Sequence, residues 1–214
     1  MGLIFKIISF TTFLYLSSFI TKMTQANIVV IAYDNFSSKD LNLDIIDKHI
    51  KILNNKKYYI LTTNNIISAA LSSITLPDYS VAITITSNRK EIINNIWPSL
   101  AKAALPFTLF IDPHLISHDN NMSWEDIKTL HNNGIEIGIR GTPKNIKNAI
   151  KLYKSNLSID PISYQYKLGI WSKEEIQILK DNNIKIAFGD KSGPVSLKMN
   201  IYKLPRFNIS GKFS

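Results

Sequence analysis

Residues Val81 to Ile111 read VAITITSNRKEIINNIWPSLAKAALPFTLFI, and this stretch decides the fold. Its two ends, Val81–Ile85 and Phe107–Ile111, are short apolar runs rich in β-branched or aromatic residues, the composition of buried strands. Between them Ile92, Ile93, Ile96 and Leu100 recur at helical spacing. Strand, loop, helix, strand is a βαβ unit, and such a crossover joins two strands that run parallel. In parallel α/β architectures the reactive groups stand on loops that follow the C-terminal ends of strands. Thr86-Ser87-Asn88 is therefore the first place to look for chemistry.

The alternation continues on both sides. Ile28–Ala32 predicts a first strand that ends in Tyr33-Asp34-Asn35. Ile46, His49, Ile50 and Leu53 fall on one face of a helix, which makes His49 a packed residue at the edge of the core. Tyr58–Leu61 reads as a strand, Asn64–Leu71 as a helix, and Leu76-Pro77-Asp78 as the turn into Val81. Beyond the central unit, Ser123-Trp124-Glu125-Asp126 and Ser172-Lys173-Glu174-Glu175 have the form of capping boxes, a Ser oxygen facing an acid three residues on. The first opens a helix that stops at Gly134, and the second one that stops near Asn182. Ile135–Ile139, Ile162–Tyr166, Ile184–Phe188 and Ile201–Leu204 read as strands, with a helix over Lys144–Leu152. The expected fold class is α/β, with a mainly parallel sheet or barrel in a single domain.

Composition narrows the function. At 214 residues with 45% hydrophobic and 19% charged residues, the chain can bury one substantial core and is neither disordered nor fibrous. The net charge is +9, but Lys and Arg are dispersed and no basic block with interleaved aromatics occurs, so nucleic acid is not the expected partner. An anionic envelope polymer suits the charge as well as a solvated basic surface does. The absence of cysteine excludes disulfides and thiolate metal sites. Met1–Lys6, the apolar run Ile7–Ile20 and the small residues around Thr24-Gln25-Ala26 read as a signal peptide or N-terminal anchor over residues 1–26, leaving 27–214 as an exported domain with possible envelope association.

The ordered segments also resemble a known family. Leu76-Pro77-Asp78-Tyr79-Ser80-Val81-Ala82-Ile83-Thr84-Ile85 is similar to the approach to a T-F-D-D motif, and Trp97-Pro98 with Leu105-Pro106-Phe107-Thr108-Leu109-Phe110 to a following G-I-P-A-T-L-F segment. Ser123-Trp124 with Gly134-Ile135-Glu136-Ile137-Gly138 is similar to S-W…G-x-E-I-G. Ala187-Phe188-Gly189 and Leu204-Pro205-Arg206-Phe207 are similar to a closing A-F-G…L-P-R-F. Five such segments in order, over nearly the whole of residues 28–214, resemble the polysaccharide deacetylase family, whose core is the nodulation-protein-B homology domain. The resemblance implies a distorted (β/α) barrel of about seven strands. It also implies metal-dependent hydrolysis of acetyl groups, through the C–N amide bond, on amino-sugar glycans, with a glycan or acetylated amino-sugar polymer as partner.

In that family an Asp general base, a second Asp and two His of an H-x-x-x-H segment build a site for a divalent metal such as zinc. The metal lowers the pKa of bound water from 15.7 to about 7 and polarises the carbonyl. Here the resemblance puts Thr86 and Ser87 at the two Asp positions and Arg140 and Lys144 at the two His positions. Neither a carboxylate nor an imidazole remains in that set, so the expectation is no metal cofactor and a hydrolase fold without hydrolysis, a pseudoenzyme. Arg140 and Lys144, together with Thr86 and Ser87, are then candidates for holding an anionic or hydroxyl-rich group such as a carboxylated sugar. Tyr164, Tyr166 and Trp171 are candidate stacking surfaces, and Arg206 a further binding residue. Two alternatives stay open: an active deacetylase whose metal site is relocated to Asp34, Asp112 and His114, with His118 near by, and a non-enzymatic envelope interaction protein. Ser87 lacks an evident histidine base and is a poor nucleophile.

Overall fold

The computed structural model describes residues 27–34, 43–54, 57–72, 74 and 76–209, and the N-terminal segment read as a signal lies outside them. Nine strands form one curled sheet: β1 (Asn27–Asp34), β2 (Tyr59–Leu61), β3 (Ser80–Thr86), β4 (Thr108–Ile111), β5 (Glu136–Gly141), β6 (Ser163–Tyr166), β7 (Ile186–Phe188), β8 (Val195–Ser196) and β9 (Phe207–Asn208). Seven of them make a continuous path in the order β7-β6-β5-β4-β3-β1-β8, a distorted α/β barrel of the expected strand number. All pairings but that of β1 with β8 are parallel. β3 and β4, the two strands of the deciding stretch, pair from Thr84↔Thr108 to Thr86↔Phe110.

Among the described residues six α-helices surround the sheet: α1 (Leu43–Leu53), α2 (Thr63–Ser72), α3 (Trp97–Lys102), α4 (Trp124–Asn132), α5 (Ile146–Leu157) and α6 (Lys173–Asp181). The expected helix over Ile92–Leu100 begins as a π-helical turn, Ile92–Ile96, before α3. Pro98, in the first turn of α3, has no N–H to donate and cannot support a regular ladder through the junction. The capping boxes at Ser123 and Ser172 both form, each Ser side chain accepting from the backbone N–H three residues on. Among the described residues no helix is long and apolar enough to cross a membrane.

Strand alternation sorts the core into two clusters. Ile31, Tyr33, Ile83, Ile85, Leu109 and Ile139 pack against the helices through Ile46, Ile96, Leu130 and Tyr153. Val30, Ala82, Phe110, Ile186 and Phe188 form a second cluster inside the curl with Ile66 and Ile67 of α2. Gly138 belongs here: any Cβ would strike the Phe110 ring and the Ser163 hydroxyl. At the N-terminal end of the barrel Glu136 caps α2 across 73 residues of sequence, its carboxylate accepting from the Thr63 backbone N–H at 2.8 Å. The Asn64 N–H and the Thr108 hydroxyl donate to it as well.

The last strand departs from the sequence reading. Ile201–Leu204 is not a strand; Leu204 makes a single parallel bridge to Phe188, and the pairing with β1 is made by β9, Phe207–Asn208. Leu204 donates to Ala187 O and Gly189 donates to Leu204 O, both at 3.0 Å, while Ile209 donates to Ala32 O at 2.8 Å. Residues 204–209 therefore stitch β7 to β1. Arg206 is fixed between those two attachments, at the C-terminal mouth of the barrel.

Candidate functional site

The C-terminal ends of the parallel strands bring Asp34, Thr86, Asp112, Arg140, Gln165 and Asp190 to one mouth, and Arg206 fills its centre. Arg206 is 1% exposed. Its Nη2 donates to Asp34 Oδ2 at 3.0 Å and to Asp190 Oδ1 at 3.1 Å. Nη1 lies 3.4 Å from Asp34 Oδ1, 3.5 Å from Thr84 Oγ1 and 3.4 Å from Thr86 Oγ1, and Nε donates to Gly189 O at 3.2 Å. A guanidinium taken out of water costs several kcal/mol unless it is paired and hydrogen-bonded, and here all three nitrogens are engaged. Gly169, at φ +66°, gives Asp190 the room to reach Arg206, since a Cβ there would collide with the Asp190 carboxylate. Asn208 Nδ2 adds a 3.4 Å contact to Asp34.

The expected site residues separate. Thr86 is 4% exposed and faces Arg206. Ser87 turns its hydroxyl to the Arg89 N–H at 3.1 Å, the geometry of a tight turn. Arg206, expected to bind a ligand, is instead committed to internal carboxylates. Lys144 stands exposed in the short 3-10 turn Pro143–Asn145 that follows β5, so it does not join Arg140 in one pocket. Tyr164 and Tyr166 are 0% and 1% exposed and pack edge to face at 5.4 Å, as core rather than as a stacking platform. The even-numbered positions of β6 point at the helix layer, which is why both rings are buried. Only Trp171, tilted against Tyr166 at 5.9 Å, keeps part of its ring accessible.

Arg140 behaves differently from Arg206. Among the described residues it pairs with no carboxylate, and its buried Nε has no hydrogen-bond partner. Its register partner on β6 is Gln165, whose Oε1 is likewise buried and unpartnered while its Nε2 donates to Tyr166 O at 2.8 Å. Asp112 is 6% exposed; its Oδ1 accepts from the His114 backbone N–H at 3.1 Å, and Lys167 Nζ lies 3.5 Å from its Oδ2. Asn88 holds the Asp112 backbone at both ends, at 2.9 and 3.0 Å. The sequence reading missed Lys167 and Asp190. Both follow the C-terminal ends of strands, so the rule that singled out Thr86 also points to them. His49, at the outer edge, sits 2.8 Å from the Tyr33 hydroxyl, and burial, with Lys48 adding to it, lowers its pKa to about 4.

The donor set decides whether a divalent metal fits. Among the described residues no three His, Asp or Glu side chains converge on a metal-sized position. The relocated set of Asp34, Asp112 and His114 is not assembled: Asp34 is held by Arg206, and Asp112 by Lys167 and the His114 backbone. A divalent ion within about 4 Å of a fixed guanidinium, at an effective dielectric near 20, meets a repulsion of roughly 8 kcal/mol. Thr86 Oγ1 is 3.4 Å from that guanidinium. The residues at the mouth do not fit the metal.

The architecture is that of polysaccharide deacetylases. It matches the deacetylase PplD of Streptococcus pyogenes, solved in complex with acetate, at a TM-score of 0.76 and 17% identity, covering 87% of this chain and 92% of that one. IcaB from Ammonifex degensii matches at a TM-score of 0.78 and 15% identity, over 86% and 92% of the two chains. A de-N-acetylase from Aggregatibacter actinomycetemcomitans matches at 0.75 and 12%, over 85% and 94%. At such identities the likeness establishes the fold. No family model matches the sequence, and no curated protein is detectably similar to it.

Proposed function

We propose that this chain is a divergent polysaccharide deacetylase-type protein of the cell envelope that does not carry out metal-dependent hydrolysis and serves as a glycan-binding module. The observation that carries the reading is the occupant of the barrel mouth. Where deacetylation needs a divalent cation held by anionic and imidazole ligands, this mouth has its own cation, Arg206, neutralised by Asp34 and Asp190. Arg140 adds positive charge at a position the family resemblance gives to a histidine ligand. Neither group can generate a hydroxide nucleophile from water at neutral pH, the task a bound metal performs. The N-terminal segment, read as a signal or anchor, supports export, and the deacetylase neighbours support a glycan as the bound class.

The test is acetate release from an N-acetylglucosamine oligomer by the purified protein with zinc, with cobalt and with no added metal. The reading expects no turnover in any of the three, together with measurable retention of the protein on an immobilised glycan. Zinc-stimulated acetate release would refute it.

A further inference from the structure

Beside the saturated centre lies a cavity of about 290 Å³ whose wall includes Asp112, His114, Arg140, Asn145, Tyr164 and Lys167. Roughly 300 Å³ is the lower bound of ligand pockets, so the space suits a monosaccharide-sized group. Its polar lining is weighted toward donors. The Tyr164 hydroxyl is buried with no partner among the described residues, in a residue 0% exposed, and a Cβ added at Gly141, another wall residue, would stand 3.5 Å from it. Burial and the neighbouring acidic groups push the Tyr164 pKa well up, so this group is a neutral phenol that can donate. Arg140 contributes a buried, unpartnered Nε. Lys167 contributes an ammonium that is half exposed and loosely held at 3.5 Å from Asp112. The first turn of α5, through Asn145 and Ile146, presents the positive end of a helix to the same space. Asp112 is the one carboxylate in the wall, against the two cations Arg140 and Lys167. A buried donor without an acceptor is costly, and an anion entering here supplies the missing acceptor.

Resting on the glycan-binding reading above, we infer that this cavity is a subsite for the carboxylate of an acidic sugar, held by Tyr164, Lys167 and Arg140. Gly141, Thr142 and Lys167 are shared with a second cavity of about 230 Å³ lined by Trp171, Ile170 and Leu168, which continues the groove along the mouth. A sugar whose carboxylate is in the first cavity has a neighbouring residue directed to this apolar stretch.

The experiment is calorimetric titration of the full chain with glucuronate, glucose, acetate and an N-acetylglucosamine oligomer. Glucuronate is expected to bind and glucose not. Tyr164→Phe is expected to weaken glucuronate about tenfold and Lys167→Met or Arg140→Met between about tenfold and a hundredfold, as hydrogen bonds to a charged group are lost. Tyr164→Phe is also expected to melt no lower than the parent, because the hydroxyl it removes has no partner in the free protein. Equal binding of glucuronate and glucose, acetate binding as tight as glucuronate, or three variants that all bind glucuronate like the parent would each overturn the inference. Oligomer binding without any preference for glucuronate overturns the acidic-sugar assignment and leaves the glycan-binding function standing. Zinc-dependent hydrolysis strikes at that function instead, so the two failures are told apart.

Discussion

Arg206 and Arg140 stand at the same end of one sheet and differ in what surrounds them. Arg206 lies between Asp34 and Asp190 with each of its three nitrogens engaged, at the point where residues 204–209 join β7 to β1. Arg140, on β5, meets no carboxylate among the described residues and keeps a buried Nε without a partner, and Tyr164, which lines the same cavity, has a hydroxyl in the same condition. A buried charge whose hydrogen bonds are complete is part of the architecture, and removing it damages the fold. A charge left incomplete contributes little to the fold and is available to a ligand. The difference separates what closes this barrel from what the barrel can bind.

The contrast can be broken most directly at Arg206. Arg206→Met leaves Asp34, with a side chain 10% exposed, as an uncompensated charge, and is expected to cost about 3–5 kcal/mol in urea unfolding. Adding Asp34→Asn to that variant is expected to recover part of the loss, because the two residues form one network. A loss below about 1 kcal/mol for Arg206→Met would mean that the cluster does not hold the mouth together.

Acid sensitivity is expected to come from His49, outside both arginine sites. Its folded pKa of about 4 lies below the ordinary histidine value of 6.5, so the stabilisation is complete above pH 6.5 and is lost as the pH falls toward 4. The loss is expected to reach up to about 3 kcal/mol, and His49→Leu is expected to flatten that part of the pH–stability curve. An unchanged curve in the variant would assign the acid response elsewhere.

The smallest effects sharpen the other half of the comparison. Tyr164→Phe is expected to stabilise the free protein by about 1 kcal/mol, since it deletes a buried hydroxyl with no partner. Arg140→Met is expected to change stability by no more than about 0.5 kcal/mol, as for substitutions that break no existing network. A loss of 2 kcal/mol in thermal or urea unfolding of either variant would show that these groups are structural like Arg206.

The sequence disclosed most of this fold and less of the site, for a physical reason. Period-2 and helical spacing, and capping boxes such as Ser123 with Asp126, are local regularities in which partners sit a few positions apart. The contacts that define the mouth are not local. Arg206 meets Asp34 across 172 residues and Thr86 across 120, and Glu136 caps α2 across 73. Arg206 and Thr86 were both singled out in the sequence, and nothing in it indicated that they touch. Lys144 does not join Arg140 because the 3-10 turn at Pro143 intervenes after β5, and Tyr164 and Tyr166 offer no stacking face because their side of β6 is covered by helices. The apolar run Ile201–Leu204 looks like the closing strand in sequence, but it bridges β7 through Leu204 alone, and β9 pairs with β1.

The measurement closest to the central claim is the zinc content of the purified full-length protein after equilibrium dialysis against zinc and removal of loosely bound ion. An arginine-centred mouth is expected to leave the protein with far less than one zinc per chain, and Arg206→Met should not create a site. One tightly held zinc per chain, lost on substituting Asp34 or Asp112, would contradict the account and return the barrel to metal-dependent chemistry.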